Sequence, residues 1–334
     1  MNASIQTLTT VNLKYNAVGA QEAQNLANAL RINKTLTTLN LDFNRISAEG
    51  AEDLANALQI NKVTTILVSL PLHSSSTSAL FTQTLTTLDL QYNQIGAKGA
   101  EDLANALQIN KTLTTLNIGA NQIGAKGAED LANALQINKV TTIFVLLLPH
   151  FTSTSTLFTQ TLTTLTIGPN QIGDQGAEDL ANALQINKVT KILVFLPFHS
   201  SSTSTLFTQT LTILNLQYNQ IGAKGAEDLA NALQINEVTT IFVLLPLHFT
   251  STSTFFTQTL TTLDLQYNKI GAKGAQDLAN ALQTNKVTTI FVLLSHHSYT
   301  FTQTLTTLNL HSNRIGTEGA HDLANALQIN KADA

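Results

Sequence analysis

A 28-residue unit recurs eight times along this chain, and nothing else in the sequence constrains the fold as tightly. Its clearest copy is Leu85–Thr112, LTTLDLQYNQIGAKGAEDLANALQINKT. The first half reads as a short strand. Leu85, Leu88 and Leu90 stand among threonines and Asp89, and Leu88-Asp89-Leu90-Gln91 alternates with period two. Asn93 follows, where its amide can pair with backbone groups that lose their partners as the chain leaves the sheet. Ile95 then turns back towards the core.

The second half reads as a helix. Ala100, Leu103, Ala104 and Leu107 fall at i, i+3, i+4 and i+7 and share one face. Glu101 and Asp102 are expected near its positive N-terminal end. Asn110 is expected to stop it in the left-handed C′ conformation, with Lys111 at the negative end. A glycine such as Gly99 costs a helix up to about 1 kcal/mol against alanine, so its presence points to close packing against a neighbour. Ile95–Gly99 reads as the turn into the helix; it lacks the spacing and following Ser/Thr of a phosphate-binding loop.

One strand and one helix cannot bury their apolar faces alone, but a stack of such units can. Strands stack about 4.8 Å apart and helices need about 8–10 Å. The stack must therefore curve, with a parallel sheet on the concave face and helices on the convex face.

The pattern LxxLxLxxN, with Ile two residues past the Asn, is followed by Gly99-Ala100, Leu103-Ala104 and Ala106-Leu107. This unit resembles the leucine-rich repeat of the ribonuclease-inhibitor type, over about two thirds of the chain. The resemblance implies an α/β horseshoe that binds a protein on its concave face. The same repeat type forms the sensing end of NOD-like receptors and the body of Ran GTPase-activating proteins.

The repeats are read at 8–35, 36–62, 85–112, 113–139, 162–188, 211–237, 260–286 and 305–334, as one domain. The first departs from the rest: Glu22 stands where other copies have Gly, and Val11 replaces Leu, as terminal repeats often do. Neither end shows a capping segment, so the chain reads either as a fragment or as a stack whose ends something else covers.

Five insertions interrupt the period, at 63–83, 140–160, 189–209, 238–258 and 287–303. Each enters between the end of one helix and the threonine before the next strand, and excising all five restores the register. Two accounts stand open. As protein, each is a loop projecting from one rim, with an opening β-prone run such as Val238–Leu245 and then a Ser/Thr-rich piece without structure. Yet their 101 residues carry one formal charge, Lys191, which is unusually apolar for exposed loops. As nucleic acid, each begins with Val, whose codons start GT, and ends Phe-Thr-Gln, whose last codon can be CAG. Those are intron boundary letters, so the segments read better as translated introns, whose removal would leave 233 residues.

Composition narrows the class. Net charge is −4, only 11% of residues are charged, and no basic patch stands out, which argues against nucleic acid. Cysteine is absent, so no disulfide or thiolate metal site is available. The longest apolar run, Ile143–Leu148, falls far short of the ~20 residues a membrane helix needs. The opening MNASIQTLTT has neither a basic n-region nor an apolar h-region, so a soluble cytoplasmic protein is expected. Sequons begin at Asn2, Asn33 and Asn110 and are expected to be silent.

Strand phase places three stripes on the concave face. The first is Asn12, Asn40, Asp89, Asn117, Thr166, Asn215, Asp264 and Asn309. The second is Lys14, Asp42, Gln91, Gly119, Gly168, Gln217, Gln266 and His311, and beside it run Tyr15, Phe43, Tyr92, Ala120, Pro169, Tyr218, Tyr267 and Ser312. From these, Asp89, Gln91, Tyr92, Asn215, Gln217, Tyr218, Asp264, Gln266 and Tyr267 are the candidate protein-binding residues, since tyrosine anchors interfaces at low entropy cost. Near-identical copies from recent duplication would look the same without a tuned partner. The gap at Gly119, Ala120, Gly168 and Pro169 is either a shallow pocket or drift.

The asparagines Asn16, Asn44, Asn93, Asn121, Asn170, Asn219, Asn268 and Asn313 read as a structural ladder. Six of the eight histidines, His73, His150, His199, His248, His296 and His297, lie in the insertions, a spacing that is not metal-ligand geometry. No nucleophile–base pair, paired carboxylates or cofactor motif appears. The expectation is a non-catalytic scaffold with no cofactor and no metal, binding an unidentified protein and neither nucleic acid nor membrane. A GTPase-activator-like regulator is one alternative, although its strand-to-helix loops should be distinctive and these are nearly uniform. A detached sensing region of a NOD-like receptor is another, and a non-functional or mispredicted gene product a third.

Overall fold

The computed structural model describes residues 8–60, 85–138, 142–146, 155–160, 162–187, 191–195, 204–235, 241–244, 253–258, 260–284, 290–293, 298–303 and 305–329. Eight three-residue strands, Thr10–Asn12, Thr38–Asn40, Thr87–Asp89, Thr115–Asn117, Thr164–Thr166, Ile213–Asn215, Thr262–Asp264 and Thr307–Asn309, pair side by side in chain order as one parallel sheet. Eight helices alternate with them: α1 (Ala20–Ile32), α2 (Ala48–Ile60), α3 (Gly96–Ile109), α4 (Gly124–Ile137), α5 (Gly173–Ile186), α6 (Ala223–Ile235), α7 (Gly271–Thr284) and α8 (Gly316–Ile329). Each helix packs on the next. The chain is an α/β solenoid with repeats of roughly 28 residues.

Register carries the leucine pattern straight across the sheet. Leu39, Leu88, Leu116, Leu165, Leu214 and Leu263 stand opposite one another, and all six are buried. Burying each such side chain is worth about 1.5–3 kcal/mol. Helix α3 buries Gly99, Ala100, Leu103, Ala104, Ala106 and Leu107, a broader face than the periodicity shows, because it meets the sheet and a helix on either side. A Cβ on Gly99 would lie 2.5 Å from Ile95 Cγ2 of its own repeat, 3.0 Å from Ala51 Cβ and 3.2 Å from Ala48 Cα, so that glycine permits close contact both with Ile95 and with the preceding helix. In repeat 1 no described helix precedes α1, and Glu22 there accepts a hydrogen bond from the Gly19 amide.

Several local expectations are corrected. Helix α3 starts at Gly96, whose φ of +63° suits glycine, so Ala97-Lys98-Gly99 are already helical. Glu101 and Asp102 therefore lie beyond its first turn and pair with Lys98, at 3.1 Å each. Asn110 is extended, at φ −74° and ψ 121°, not left-handed. Its side chain is needed inside: Nδ2 donates to the Leu58 carbonyl at 2.8 Å, and Oδ1 accepts from the Thr112 and Leu113 amides.

That asparagine also explains how the insertions are accommodated. Asn110 Oδ1 holds Leu113 N at 2.8 Å across an uninterrupted junction. Asn138 Oδ1 holds Leu162 N at 3.0 Å across an insertion, and Asn187 holds Leu211 N at 3.0 Å in the same way. Thr142–Leu146, Lys191–Phe195, Ile241–Leu244 and Ile290–Leu293 pair as one four-stranded parallel sheet. Ser155–Gln160, Ser204–Gln209, Ser253–Gln258 and Ser298–Gln303 pair as another. The ends of these insertions are thus strands, contrary to the reading of a structureless Ser/Thr-rich piece. Near-identical segments delivered side by side by the solenoid can satisfy one another's backbone. The insertion at 63–83 lies outside the described residues. No described helix is long and apolar enough to cross a membrane.

Candidate protein-binding face

The inner face of the sheet is built on two rows of hydrogen bonds. Asn121 shows the first. Its Oδ1 accepts from Asn93 N at 3.1 Å, and its Nδ2 donates to the carbonyls of Leu90, Ile118 and Gly119 at 2.9–3.0 Å. Asn44, Asn93, Asn170, Asn219, Asn268 and Asn313 link neighbouring repeats in the same way, which makes the ladder structural. In the second row the leading threonine of each strand segment donates its hydroxyl to the preceding repeat, as Thr114 Oγ1 does to Thr86 O at 3.2 Å. The sequence reading did not anticipate this use of the repeated threonines.

Above this base lie the three stripes. Asp89, Asn215 and Asp264 end their strands, and each accepts a hydrogen bond at Oδ1 from the amide two residues on, at 3.0–3.1 Å. They are half-buried and partly committed to shaping the turn. Gln91 accepts from Asn117 Nδ2 at 3.2 Å, and Gln266 Nε2 donates to Gln217 Oε1 at 2.7 Å.

Tyr92, Tyr218 and Tyr267 are 42%, 47% and 40% exposed. They stand where the backbone is left-handed, at φ of 50–54°, as do Tyr15, Phe43, Ala120 and Ser312. Such a conformation costs a bulky residue about 1–3 kcal/mol. It recurs at the residue before the ladder asparagine in every repeat but the fifth, where Pro169 stands there. The consequence is that rings from successive repeats stack: Tyr15 on Phe43 at 4.5 Å, Phe43 on Tyr92 at 4.0 Å, and Tyr218 on Tyr267 at 4.2 Å. Burial against this neighbour, and its hydrogen bond, push the Tyr218 phenol above its ordinary pKa.

The nine candidate residues thus fall into two groups. Asp89, Gln91 and Tyr92 join Lys14, Tyr15, Asp42 and Phe43 of the first repeats, while the other six form a second cluster. Repeats 4 and 5 lie between, where a Cβ on Gly119 would run into the Gly168 carbonyl oxygen. Lys14 and Asp42 form an ion pair at 2.7 Å. They lay outside the nine, although opposite charges at one stripe position in successive repeats were the signal for them. Burial, chiefly, and the Asp42 charge raise the Asp89 pKa.

On the other side of the solenoid the first helical turns carry Lys98, Lys126, Lys224 and Lys273, each paired with an aspartate four residues on. Asp130, with Glu129, holds the Lys126 ammonium up to about 12. Asp174 in repeat 5 reaches the next repeat and accepts from the Gly222 and Gly225 amides, capping α6. Among the described residues no group of three His, Cys, Asp or Glu side chains is placed to hold a metal. The six insertion histidines lie outside the described residues.

The chain is a leucine-rich-repeat protein. A sequence model described as Leucine Rich repeat matches residues 33–55, 82–104, 110–132, 159–181, 208–230, 257–279 and 302–324, all but the divergent first copy. No curated protein sequence matches. Among solved structures the chain is similar to Leiomodin-1 Actin-Binding Site 2 (ABS2), at 21% identity over 54% of this chain and 80% of that one, with a TM-score of 0.37. It is also similar to the mouse RP105/MD-1 complex, at 14% identity over 92% of this chain and 59% of that one, with a TM-score of 0.23.

Proposed function

We propose that this chain is a non-catalytic scaffold of the ribonuclease-inhibitor type that binds a protein ligand on its concave face. The observation that carries the reading is the aromatic row. Tyr15, Tyr92, Tyr218 and Tyr267 are exposed at left-handed positions, where a small polar residue would be less strained. Rigid tyrosines on a preformed sheet offer a large contact area at little entropy cost. Asp89, Gln91, Asn215, Gln217, Asp264 and Gln266 supply polar groups beside them. A full helix of 13 or 14 residues in every repeat supports the assignment to the ribonuclease-inhibitor type.

A photo-crosslinking residue placed at Tyr92 or Tyr218, and in a control at Lys126 on the helical face, tests the reading. Covalent adducts with one protein are expected from the two sheet positions only. Equal labelling from the helical position would overturn it.

A further inference from the structure

We propose that the concave face over repeats 1–3 binds a basic side chain on an extended segment of a protein partner, and that Lys14 occupies that place in the free protein. The inference rests on the concave-face reading and deepens it.

The Lys14 ammonium lies 2.7 Å from Asp42 Oδ2 and 5.1 and 5.0 Å from the ring centres of Tyr15 and Phe43. A carboxylate and aromatic rings within about 6 Å are what a desolvated cation needs. Asp42 is only 4% exposed, and its Oδ1 has no hydrogen-bond partner among the described residues. The buried carboxylate is therefore half used, and Lys14, the cation that covers it, keeps 37% of its own side chain exposed.

Asp89, one repeat further on beside Tyr92, adds a second negative charge. No cation lies within ion-pair distance of it among the described residues. The turn it shapes does not require that charge: Asn12, Asn40, Asn117, Asn215 and Asn309 make the same contact from the same position. Its carboxylate is also disfavoured by burial and by Asp42. A charge that the fold does not need, held at some cost beside exposed stacked rings, has its use in a cationic partner. Lys14 acts on Asp89 from beyond ion-pair distance.

Intrinsic fluorescence reads this face directly. The chain has no tryptophan, and four of its five tyrosines, Tyr15, Tyr92, Tyr218 and Tyr267, stand in the aromatic row. The full chain is titrated at low salt with an alternating Gly-Arg peptide and with Gly-Gln and Gly-Glu counterparts. The Gly-Arg peptide is expected to bind and the others not. Asp89→Asn should weaken it about two- to fivefold, and Lys14→Gln should tighten it by a similar factor, the range of one partly exposed cation contact. Asp89→Asn decides the matter by itself, because asparagine already holds this turn in five repeats. Unchanged affinity in that variant, or no binding of the Gly-Arg peptide at millimolar concentration, overturns the inference. Equal binding of Gly-Gln and Gly-Arg that Tyr92→Ala abolishes keeps the concave-face reading and removes the basic partner. Gly-Arg binding that survives both Tyr92→Ala and Tyr218→Ala removes both.

Discussion

Replacing Asn121 by alanine tests the ladder on which the concave face rests. Asn121 is fully buried. Its Oδ1 is the acceptor for Asn93 N at 3.1 Å and, more weakly, for Ile95 N at 3.4 Å. The three carbonyls it serves each keep another donor: Leu90 O has Asn93 Nδ2, Ile118 O has Asn170 Nδ2, and Gly119 O has Tyr92 N. The loss therefore concentrates on two orphaned amides, at about 1–3 kcal/mol for each buried group. With the longer bond at the low end, the expected cost is about 3 kcal/mol. The side chain of Asn16, exposed in the first repeat, donates only to Lys14 O among the described residues, and its alanine variant should cost less than about 1 kcal/mol. Native-state hydrogen exchange locates the effect. Protection of the Asn93 and Ile95 amides should fall about a hundredfold, since each 1.4 kcal/mol is a factor of ten, while urea unfolding gives the global loss. If Asn121→Ala is no more destabilising than Asn16→Ala, the ladder does not hold the repeats together as argued.

Deletion of residues 140–160 should leave the eight-stranded sheet intact, because Asn138 already holds Leu162 as Asn110 holds Leu113. Closing that junction more tightly contributes about 2 kcal/mol at ~0.6 per halving of loop length, which offsets the loss of the edge strands Thr142–Leu146 and Ser155–Gln160, so loss of cooperative urea unfolding would contradict the argument. Reads of the mature transcript that lack all five insertions are the expected result if these segments are translated introns; reads that contain them remove the idea. Asp89→Asn should also change the pH dependence of stability. The folded state raises the Asp89 pKa, so this residue's contribution is fullest below the ordinary carboxylate value of about 3.9 and is lost as pH rises through the folded value. The variant should therefore be the more stable near neutral pH, with the difference vanishing near about pH 3 in urea titrations; an advantage that grows on acidification would refute it.

Sequence alone determined the repeat, its strand and helix halves, the buried leucines and the role of Asn93 and its equivalents. Each follows from local periodicity or from backbone groups that must be paired wherever the chain turns. Asn110 was legible as a helix stop but not as a buried bridge, since its partner Leu58 O belongs to another repeat. The same holds for Asp174 capping α6 and for the threonine hydroxyls. The concave side chains were legible as stripes, and the opposite charges of Lys14 and Asp42 as a signal of their pairing, whereas the stacking of Tyr15, Phe43 and Tyr92 was not. Those contacts depend on the spacing between successive turns of the solenoid and on a left-handed backbone that places the rings face to face. Only the packing of one repeat on the next sets that spacing, because helix width and strand separation must be reconciled across the whole stack.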